Sequence, residues 1–309
     1  MVNILFSASP DMWPAYEGHL RAALPKAGIK ANLSTDIPAD QVDYIVYAPS
    51  GGLRDFTPFT RAKAVLSLWA GVESIVTNDT LTQPLARMVD HGLTQGMVEW
   101  VTGHVLRHHL GMDAHIRGLN GEWRQDVPPL ASDRPVTILG TGALGAACGQ
   151  ALAGLGFPVT GWSRSAKDIK GLRCLSGADG LAQALTDAQV VVLLLPLTAE
   201  TENVINAETL SLMAKGAFLL NPGRGPLIDD DALTAALDSG QIAHATLDVF
   251  RTEPLPKDHP FWQHPSVTVT PHIASETRPA TAALTIVENI RRGEAGEGFL
   301  YLVDRASGY

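Results

Sequence analysis

Residues 136–145 read VTILGTGALG, and this stretch decides the fold. The largely apolar run Val136–Leu139 predicts a buried strand, and the run AACGQALAG that follows the glycines predicts a helix. In a strand–turn–helix unit, Gly140 permits the tight turn, Gly142 lets the backbone approach a pyrophosphate and Gly145 allows close helix–strand packing. An ordinary glycine turn is the weaker interpretation, because a second strand follows in order. The residues expected to hold a dinucleotide phosphate are Gly140, Gly142, Ala143, Leu144 and Gly145.

Strand-like runs alternate with helical patterns on both sides of this turn. The runs predicted as strands are Val2–Phe6, Tyr44–Ala48, Val65–Trp69, Leu85–Val89, Val136–Leu139, Pro158–Trp162, Val190–Leu195, Ala217–Leu220, Ala245–Val249 and Val267–Thr270. Helices are predicted at Met12–Leu24 and Met97–Leu110, and a boundary loop at Asn120–Pro135. This alternation predicts βαβ units with mostly parallel sheets.

Length and composition restrict the class of protein. The 309 residues suggest about two domains. Hydrophobic residues make up 45% and charged residues 18%, which excludes intrinsic disorder. The 23 basic and 32 acidic residues give a net charge of −9, which argues against a nucleic-acid partner. The longest apolar run is far too short for a bilayer. Two cysteines, Cys148 and Cys174, fit a reducing cytoplasm.

The end of the second predicted strand indicates which dinucleotide is bound. NAD-binding sheets usually place an acidic residue there for the ribose 2′-hydroxyl. Residues 162–165 read WSRS instead, and Lys167 follows. The hydroxyl of Ser163 and the guanidinium of Arg164 suit a 2′-phosphate, and we include Ser165 and Lys167 in the same predicted site. The sequence therefore favours NADPH, with NADH as an alternative.

Polar residues follow several strands at the edge where a doubly wound sheet binds ligands. Arg224 could hold a substrate carboxylate and polarise a carbonyl. His272 could donate a proton, and Glu253 beside it would favour the charged imidazolium. This trio suits hydride transfer to a 2-keto acid. The strand-end residues expected to face the cofactor are Leu195, Pro196, Asn221, Pro222, Arg224, Asp248, His272 and Ala274.

Five motifs in combination resemble the D-isomer-specific 2-hydroxyacid dehydrogenase family. They are ILGTGALG, LLLP, NPGRG, LDVFRTEPLP and TPHIAS. Within that family WSRS, FWQHPSVTVTPH and the closing VDRASGY are most similar to the glyoxylate and hydroxypyruvate reductases. The resemblance implies NADPH-dependent reduction of these small 2-keto acids to glycolate and D-glycerate. It implies Arg224, Glu253 and His272 as the catalytic set, with His272 as the proton donor.

The resemblance also implies a domain arrangement and a substrate site. Two Rossmann-like or flavodoxin-like α/β domains with parallel sheets are expected, the cofactor domain (98–276) being inserted into a discontinuous substrate domain (1–97 plus 277–309). The active site would lie in the cleft between them. The backbone of Trp69, Ala70, Gly71 and Val72 would grip the substrate carboxylate. Tyr47 stands where that group tends to have a pocket Trp, which leaves the substrate range open. A homodimer is implied, with Met97–Leu110 near the contact.

The motifs leave alternative functions open. Another D-2-hydroxyacid dehydrogenase of different substrate range fits the motifs, and a dinucleotide-sensing binding protein fits less well because the trio is intact. Formate dehydrogenases, which pair the His with Gln, are disfavoured by Glu253. No metal site is predicted: His104 and His108 are expected on a helix surface or in a dimer contact, and Asp229–Asp231 is expected to cap a helix.

Overall fold

The computed structural model describes residues 1–305 and Gly308. Ala306, Ser307 and Tyr309 of the closing VDRASGY motif lie outside the described residues. The chain forms two compact units, one of Met1–Leu93 with Glu276–Tyr309 and one of Thr94–Ser275. Among the described residues, no helix combines the length and the apolar character needed to cross a bilayer.

The first unit contains a five-stranded parallel sheet. Its strands, in the order β2-β1-β3-β4-β5, are β1 (Val2–Ser7), β2 (Ala31–Ser34), β3 (Tyr44–Tyr47), β4 (Ala64–Ser67) and β5 (Leu85–Ala86). Helices α1 (Trp13–Lys26) and α8 (Pro279–Glu294) belong to the same unit and pack together. All four residues of β3 and all four of β4 are buried, as expected for strands covered on both faces. The strand order is that of a flavodoxin-like sheet.

The second unit contains a seven-stranded parallel sheet in the order β12-β11-β10-β9-β6-β7-β8. Its strands are β6 (Val136–Leu139), β7 (Val159–Ser163), β8 (Leu172–Ser176), β9 (Val190–Leu193), β10 (Ala217–Asn221), β11 (Ile242–Leu247) and β12 (Val267–Val269). The order reverses between β6 and β9, which is the Rossmann switch point where dinucleotides bind. The prediction of two parallel α/β sheets is confirmed.

Helices connect these strands. They are α2 (His91–His109), α3 (Met112–Arg117), α4 (Ala143–Gly154), α5 (Gly177–Leu185), α6 (Ala207–Leu212) and α7 (Asp230–Asp238). The capping role predicted for Asp229–Asp231 is confirmed, because one carboxylate oxygen of Asp229 accepts the N–H groups of Asp231 and Ala232, each at 3.1 Å. This cap satisfies backbone donors that the first turn of a helix leaves unpaired.

Two strands were missed, and several boundaries differ from the sequence prediction. β2 and β8 lie at sheet edges and are only partly buried, so neither has a continuous apolar run. Cys174 lies on β8. Helix α2 begins six residues before Met97, at His91, with Asp90 accepting the N–H groups of Gly92 and Leu93. Strand β11 ends at Leu247, so Asp248 follows the strand.

The helix-surface prediction is wrong for His108, which is buried at the C-terminal end of α2. Its ring stacks on Phe218 at 4.7 Å, and its Nε2 lies 2.9 Å from Thr246 Oγ1. His244 lies beside it on β11, with Nε2 2.8 Å from Thr268 Oγ1. Burial lowers the pKa of His108 to about 3 and that of His244 to about 4.

This histidine pair predicts acid-sensitive stability. An unfolded histidine titrates near pH 6.5. Below that pH the two histidines bind protons in the unfolded chain but stay neutral in the folded protein. We expect the free energy of unfolding to fall by about 1.4 kcal/mol per pH unit for each histidine between about pH 6.5 and about pH 4. Denaturant titrations at several pH values measure the slope. His108→Gln should reduce it, whereas the exposed His19→Gln should not; equal slopes in all three proteins would contradict the assignment.

Candidate active site

Three neighbouring strands bring the predicted catalytic residues to one sheet edge. Strands β10, β11 and β12 pair in parallel, so their carboxyl ends meet at the same edge. Arg224 follows β10, Glu253 lies six residues beyond the end of β11, and His272 lies three residues beyond β12. All three belong to the second unit.

His272 and Glu253 form a hydrogen-bonded pair. Glu253 Oε2 lies 2.7 Å from His272 Nδ1, and the other carboxylate oxygen accepts the N–H of Phe250 at 2.9 Å. Because an ionised carboxylate can only accept, Nδ1 carries a proton and Nε2 is the nitrogen that can exchange one. The His272 side chain is 54% exposed, so a substrate can reach the ring.

The turn that carries His272 is held in an unusual backbone conformation. His272 has a φ of +53°, which few residues other than glycine adopt. Its N–H donates to the carbonyl of Asp248 at 2.8 Å. The Asp248 carboxylate, 1% exposed, accepts Thr270 Oγ1 at 2.6 Å and the N–H groups of Ile273 and Ala274, each at 2.9 Å. Sequence reasoning missed this bracing role; an acid directly after an apolar strand was its only sign.

Arg224 lies in a turn that its neighbours fix. The buried Asn221 side chain accepts the N–H of Gly223 at 3.1 Å and donates to the carbonyl of Arg224 at 2.9 Å. Arg224 Nη1 donates to the Gly223 carbonyl at 2.7 Å. A Cβ on Gly225 would lie 2.0 Å from the carbonyl carbon of Phe250, so this turn packs directly on the chain that leads to Glu253. Pro222 is buried in the same turn.

The glycine turn after β6 has the shape of a phosphate cradle. Gly140 has a φ of +103°, and a Cβ on Gly145 would lie 1.8 Å from the Gly140 carbonyl oxygen. A Cβ on Gly142 would meet open space, so the backbone is approachable there. Helix α4 begins at Ala143, and its first-turn N–H groups, including those of Leu144 and Gly145, suit an anionic oxygen. The chain therefore fits a dinucleotide pyrophosphate.

The other predicted cofactor residues lie at the same edge of this sheet. Ser163 ends β7, and Arg164, Ser165 and Lys167 follow it on the exposed surface. Beyond β9, Leu195 is buried and the Pro196 carbonyl accepts Thr201 Oγ1 at 2.7 Å. In the described part of the chain no group of three or more His, Cys, Asp or Glu side chains could hold a metal ion.

The predicted substrate residues of the first unit lie together at the carboxyl edge of its sheet. Tyr47 ends β3 and pairs in register with Ser67 of β4. The Tyr47 ring is 2% exposed and meets Phe56 edge-on at 5.7 Å. Ser67 accepts the N–H of Trp69 at 3.0 Å and donates to its carbonyl at 3.0 Å, which fixes the start of the loop. Trp69 is exposed, and Ala70 and Gly71 are half-buried.

Comparison with known proteins identifies the family. The family model for the NAD binding domain of D-isomer specific 2-hydroxyacid dehydrogenases matches residues 102–274. Glyoxylate/hydroxypyruvate reductase A of Serratia proteamaculans is 40% identical over 299 residues, 94% of each chain.

Two solved structures support the same relationship. A D-isomer specific 2-hydroxyacid dehydrogenase from Xanthobacter autotrophicus, in complex with NADPH and MES, is 40% identical with a TM-score of 0.91 and covers 100% of this chain and 99% of its own. An NADPH-dependent glyoxylate/hydroxypyruvate reductase from Sinorhizobium meliloti, in complex with NADP and sulfate, is 34% identical with a TM-score of 0.83 and the same two coverages. The family resemblance of the five sequence motifs is confirmed: the chain is an enzyme that belongs to the D-isomer specific 2-hydroxyacid dehydrogenase family.

Proposed function

We propose that the protein reduces small 2-keto acids, glyoxylate and hydroxypyruvate among them, to glycolate and D-glycerate with NADPH. The observation that carries the proposal is the His272–Glu253 pair, joined at 2.7 Å beyond the carboxyl end of β12. Its orientation leaves Nε2 of an accessible imidazole to exchange a proton with the substrate. The relatives named for glyoxylate and hydroxypyruvate reduction support the same substrate class.

Each residue of the trio has a distinct task. The nicotinamide, when bound, supplies a hydride for the carbonyl carbon. His272 Nε2 donates a proton to the carbonyl oxygen, and Glu253 holds the ring by accepting from Nδ1. Arg224 binds the oxygens of the substrate and stabilises the negative charge that develops on the carbonyl. The first-turn N–H groups of α4 hold the pyrophosphate.

The loop at Trp69 is proposed to bind the substrate carboxylate. Across the described residues, the backbone N–H groups of Ala70 and Gly71 meet no hydrogen-bond acceptor. Such donors are available to a carboxylate oxygen. Tyr47, at the adjacent strand end, is proposed to limit the size of the side group that the substrate carries.

NADPH is the proposed preferred cofactor, with NADH accepted less well. Arg164 and Lys167 follow β7, and residues 162–165 contain no carboxylate to bind a ribose 2′-hydroxyl or to repel a phosphate. The two structural relatives carry NADPH or NADP. A guanidinium is well suited to a dianionic 2′-phosphate.

Arg164→Ala tests this preference. Losing a charge-assisted hydrogen bond should weaken NADPH binding by roughly ten-fold or more, with little change for NADH, which has no 2′-phosphate. Fluorescence titration of both cofactors measures the two affinities. The exposed Arg173→Ala, on the edge strand β8, is the matched control and should change neither. Equal losses for NADPH and NADH on Arg164→Ala would remove the 2′-phosphate assignment.

The substrate and the stereochemistry are tested by product analysis. Hydroxypyruvate with NADPH should give D-glycerate alone on chiral chromatography, and glyoxylate should give glycolate. Keto acids with longer side groups should react more slowly if the buried Tyr47 closes the pocket. L-glycerate or a racemic product would contradict the proposal.

We further propose that the enzyme is a cytoplasmic homodimer. Large apolar side chains lie exposed along residues 110–130, namely Leu110, Met112, Ile116, Trp123, Val127 and Leu130. Exposed apolar side chains in this number favour contact with a second copy of the chain. Cys148 and Cys174 are both free thiols, which fits a reducing compartment. Sedimentation velocity should give the dimer mass, and Trp123→Asp with Ile116→Asp should shift it to the monomer.

A further inference from the structure

The segment proposed to recognise the 2′-phosphate is tied to the glycine turn by two hydroxyl groups. Ser163 Oγ donates to the carbonyl of Ser165 at 2.9 Å, and Thr141 Oγ1 donates to Ser163 Oγ at 2.8 Å. A carbonyl can only accept, so the single Ser163 proton is committed to it and Thr141 must be the donor to Ser163. Both hydrogen bonds therefore have a fixed direction, from Thr141 to Ser163 and from Ser163 to the Ser165 carbonyl. We call this pair of hydrogen bonds the relay.

Packing fixes the first member of this relay. Thr141 is 4% exposed, and its methyl group lies over Gly161 of β7, where a Cβ would come within 2.6 Å of Thr141 Cγ2. The adjacent backbone is also tied, because the N–H of Gly140 donates to the carbonyl of Trp162 at 2.8 Å. Packing and the backbone hydrogen bond thus hold the Thr141 hydroxyl in position to donate to Ser163.

The relay limits what Ser163 can do. A phosphate oxygen can only accept a hydrogen bond, and Ser163 offers it lone pairs alone. The other donor side chains of the segment are those of Arg164, Ser165 and Lys167. We infer that Thr141 and Ser163 are positioning residues, which hold the Arg164–Ser165 turn so that its side chains recognise the 2′-phosphate. This inference rests on the proposed use of NADPH, and it departs from the sequence-based expectation that the Ser163 hydroxyl binds the phosphate directly.

A double-mutant cycle tests the relay. Thr141→Val keeps the shape and removes only the donor, and Ser163→Ala removes the link. Each should weaken NADPH binding by about five-fold, the equivalent of one lost hydrogen bond. The double variant should be no weaker than either single one, because both residues act through the same turn. NADH affinity should change less than NADPH affinity in every variant, and kcat at saturating NADPH should be retained.

Matched variants and the wild type separate the outcomes. Thr141→Ser keeps the donor and should behave as wild type, as should Thr160→Val on β7, the strand that ends at Ser163. A loss above about ten-fold for Ser163→Ala, with Thr141→Val near wild type, would show direct contact and overturn the inference. Equal losses for both cofactors would also overturn it. Wild-type protein that binds NADH as tightly as NADPH would overturn the cofactor proposal and the inference together. If Thr141→Val fails to fold, as judged by thermal melting, Ser163→Ala and Thr141→Ser still show whether the relay changes the ratio of NADPH affinity to NADH affinity.

Discussion

Replacing His272 with alanine is expected to lower kcat for keto-acid reduction by roughly 10²–10⁴-fold. The alanine removes the group proposed to protonate the carbonyl oxygen, so the product alkoxide would have to take its proton from water. The turn itself should persist, because the Asp248 carboxylate and carbonyl hold its backbone through groups that the substitution leaves in place. Steady-state rates at saturating NADPH and keto acid measure the effect.

Cofactor binding separates a catalytic histidine from a structural one. NADPH affinity should stay within about two-fold of wild type in His272→Ala, because a buried hydrogen-bond network rather than the imidazole shapes the turn. His19→Ala, which removes an exposed imidazole in the first unit, is the control and should leave kcat unchanged. If NADPH affinity and kcat fell in parallel, His272 would be a cofactor-binding or structural residue and not the proton donor.

Replacing Arg224 with lysine should lower kcat/KM by roughly 10²–10³-fold while the positive charge is kept. The planar guanidinium can bind two substrate oxygens at once, and an ammonium cannot reproduce that pair of hydrogen bonds. The turn should survive the change, since Asn221 bonds the Gly223 and Arg224 backbone and Gly225 packs against Phe250.

Initial-rate kinetics with varied keto acid measure the Arg224 effect. The KM for keto acid should rise together with the fall in kcat, because the arginine is proposed to act on both the bound substrate and the developing charge. Arg173→Lys on the edge strand β8 is the matched control. A kcat/KM within two-fold of wild type for Arg224→Lys would exclude paired recognition of the substrate by this residue.

The predictable parts of this structure have local causes. The glycine turn could be predicted because its constraints lie within six residues: a positive φ at Gly140 and a Gly140 carbonyl oxygen that leaves no room for a Cβ at Gly145. The central strands could be predicted because burial on both faces requires continuous apolar runs. The sheet edge that gathers Arg224, Glu253 and His272 then follows from parallel pairing.

The missed parts depend on contacts between distant residues. Edge strands β2 and β8 have one partner each and mixed burial, so their sequences resemble loops. Asp248 braces a turn some 25 residues later in the chain, and Thr141 meets Ser163 across 22 residues. His108 looked like a helix-surface residue because nothing in its own helix indicates that Phe218 and His244 cover it.

The most direct test of the proposed function is the rate of NADPH oxidation, followed by the absorbance of the reduced nicotinamide, with glyoxylate or hydroxypyruvate as the second substrate. Turnover with both keto acids, faster with NADPH than with NADH and abolished by omitting the keto acid, is the predicted result. Tight NADPH binding without turnover on any small 2-keto acid would contradict it and leave a dinucleotide-sensing protein in its place.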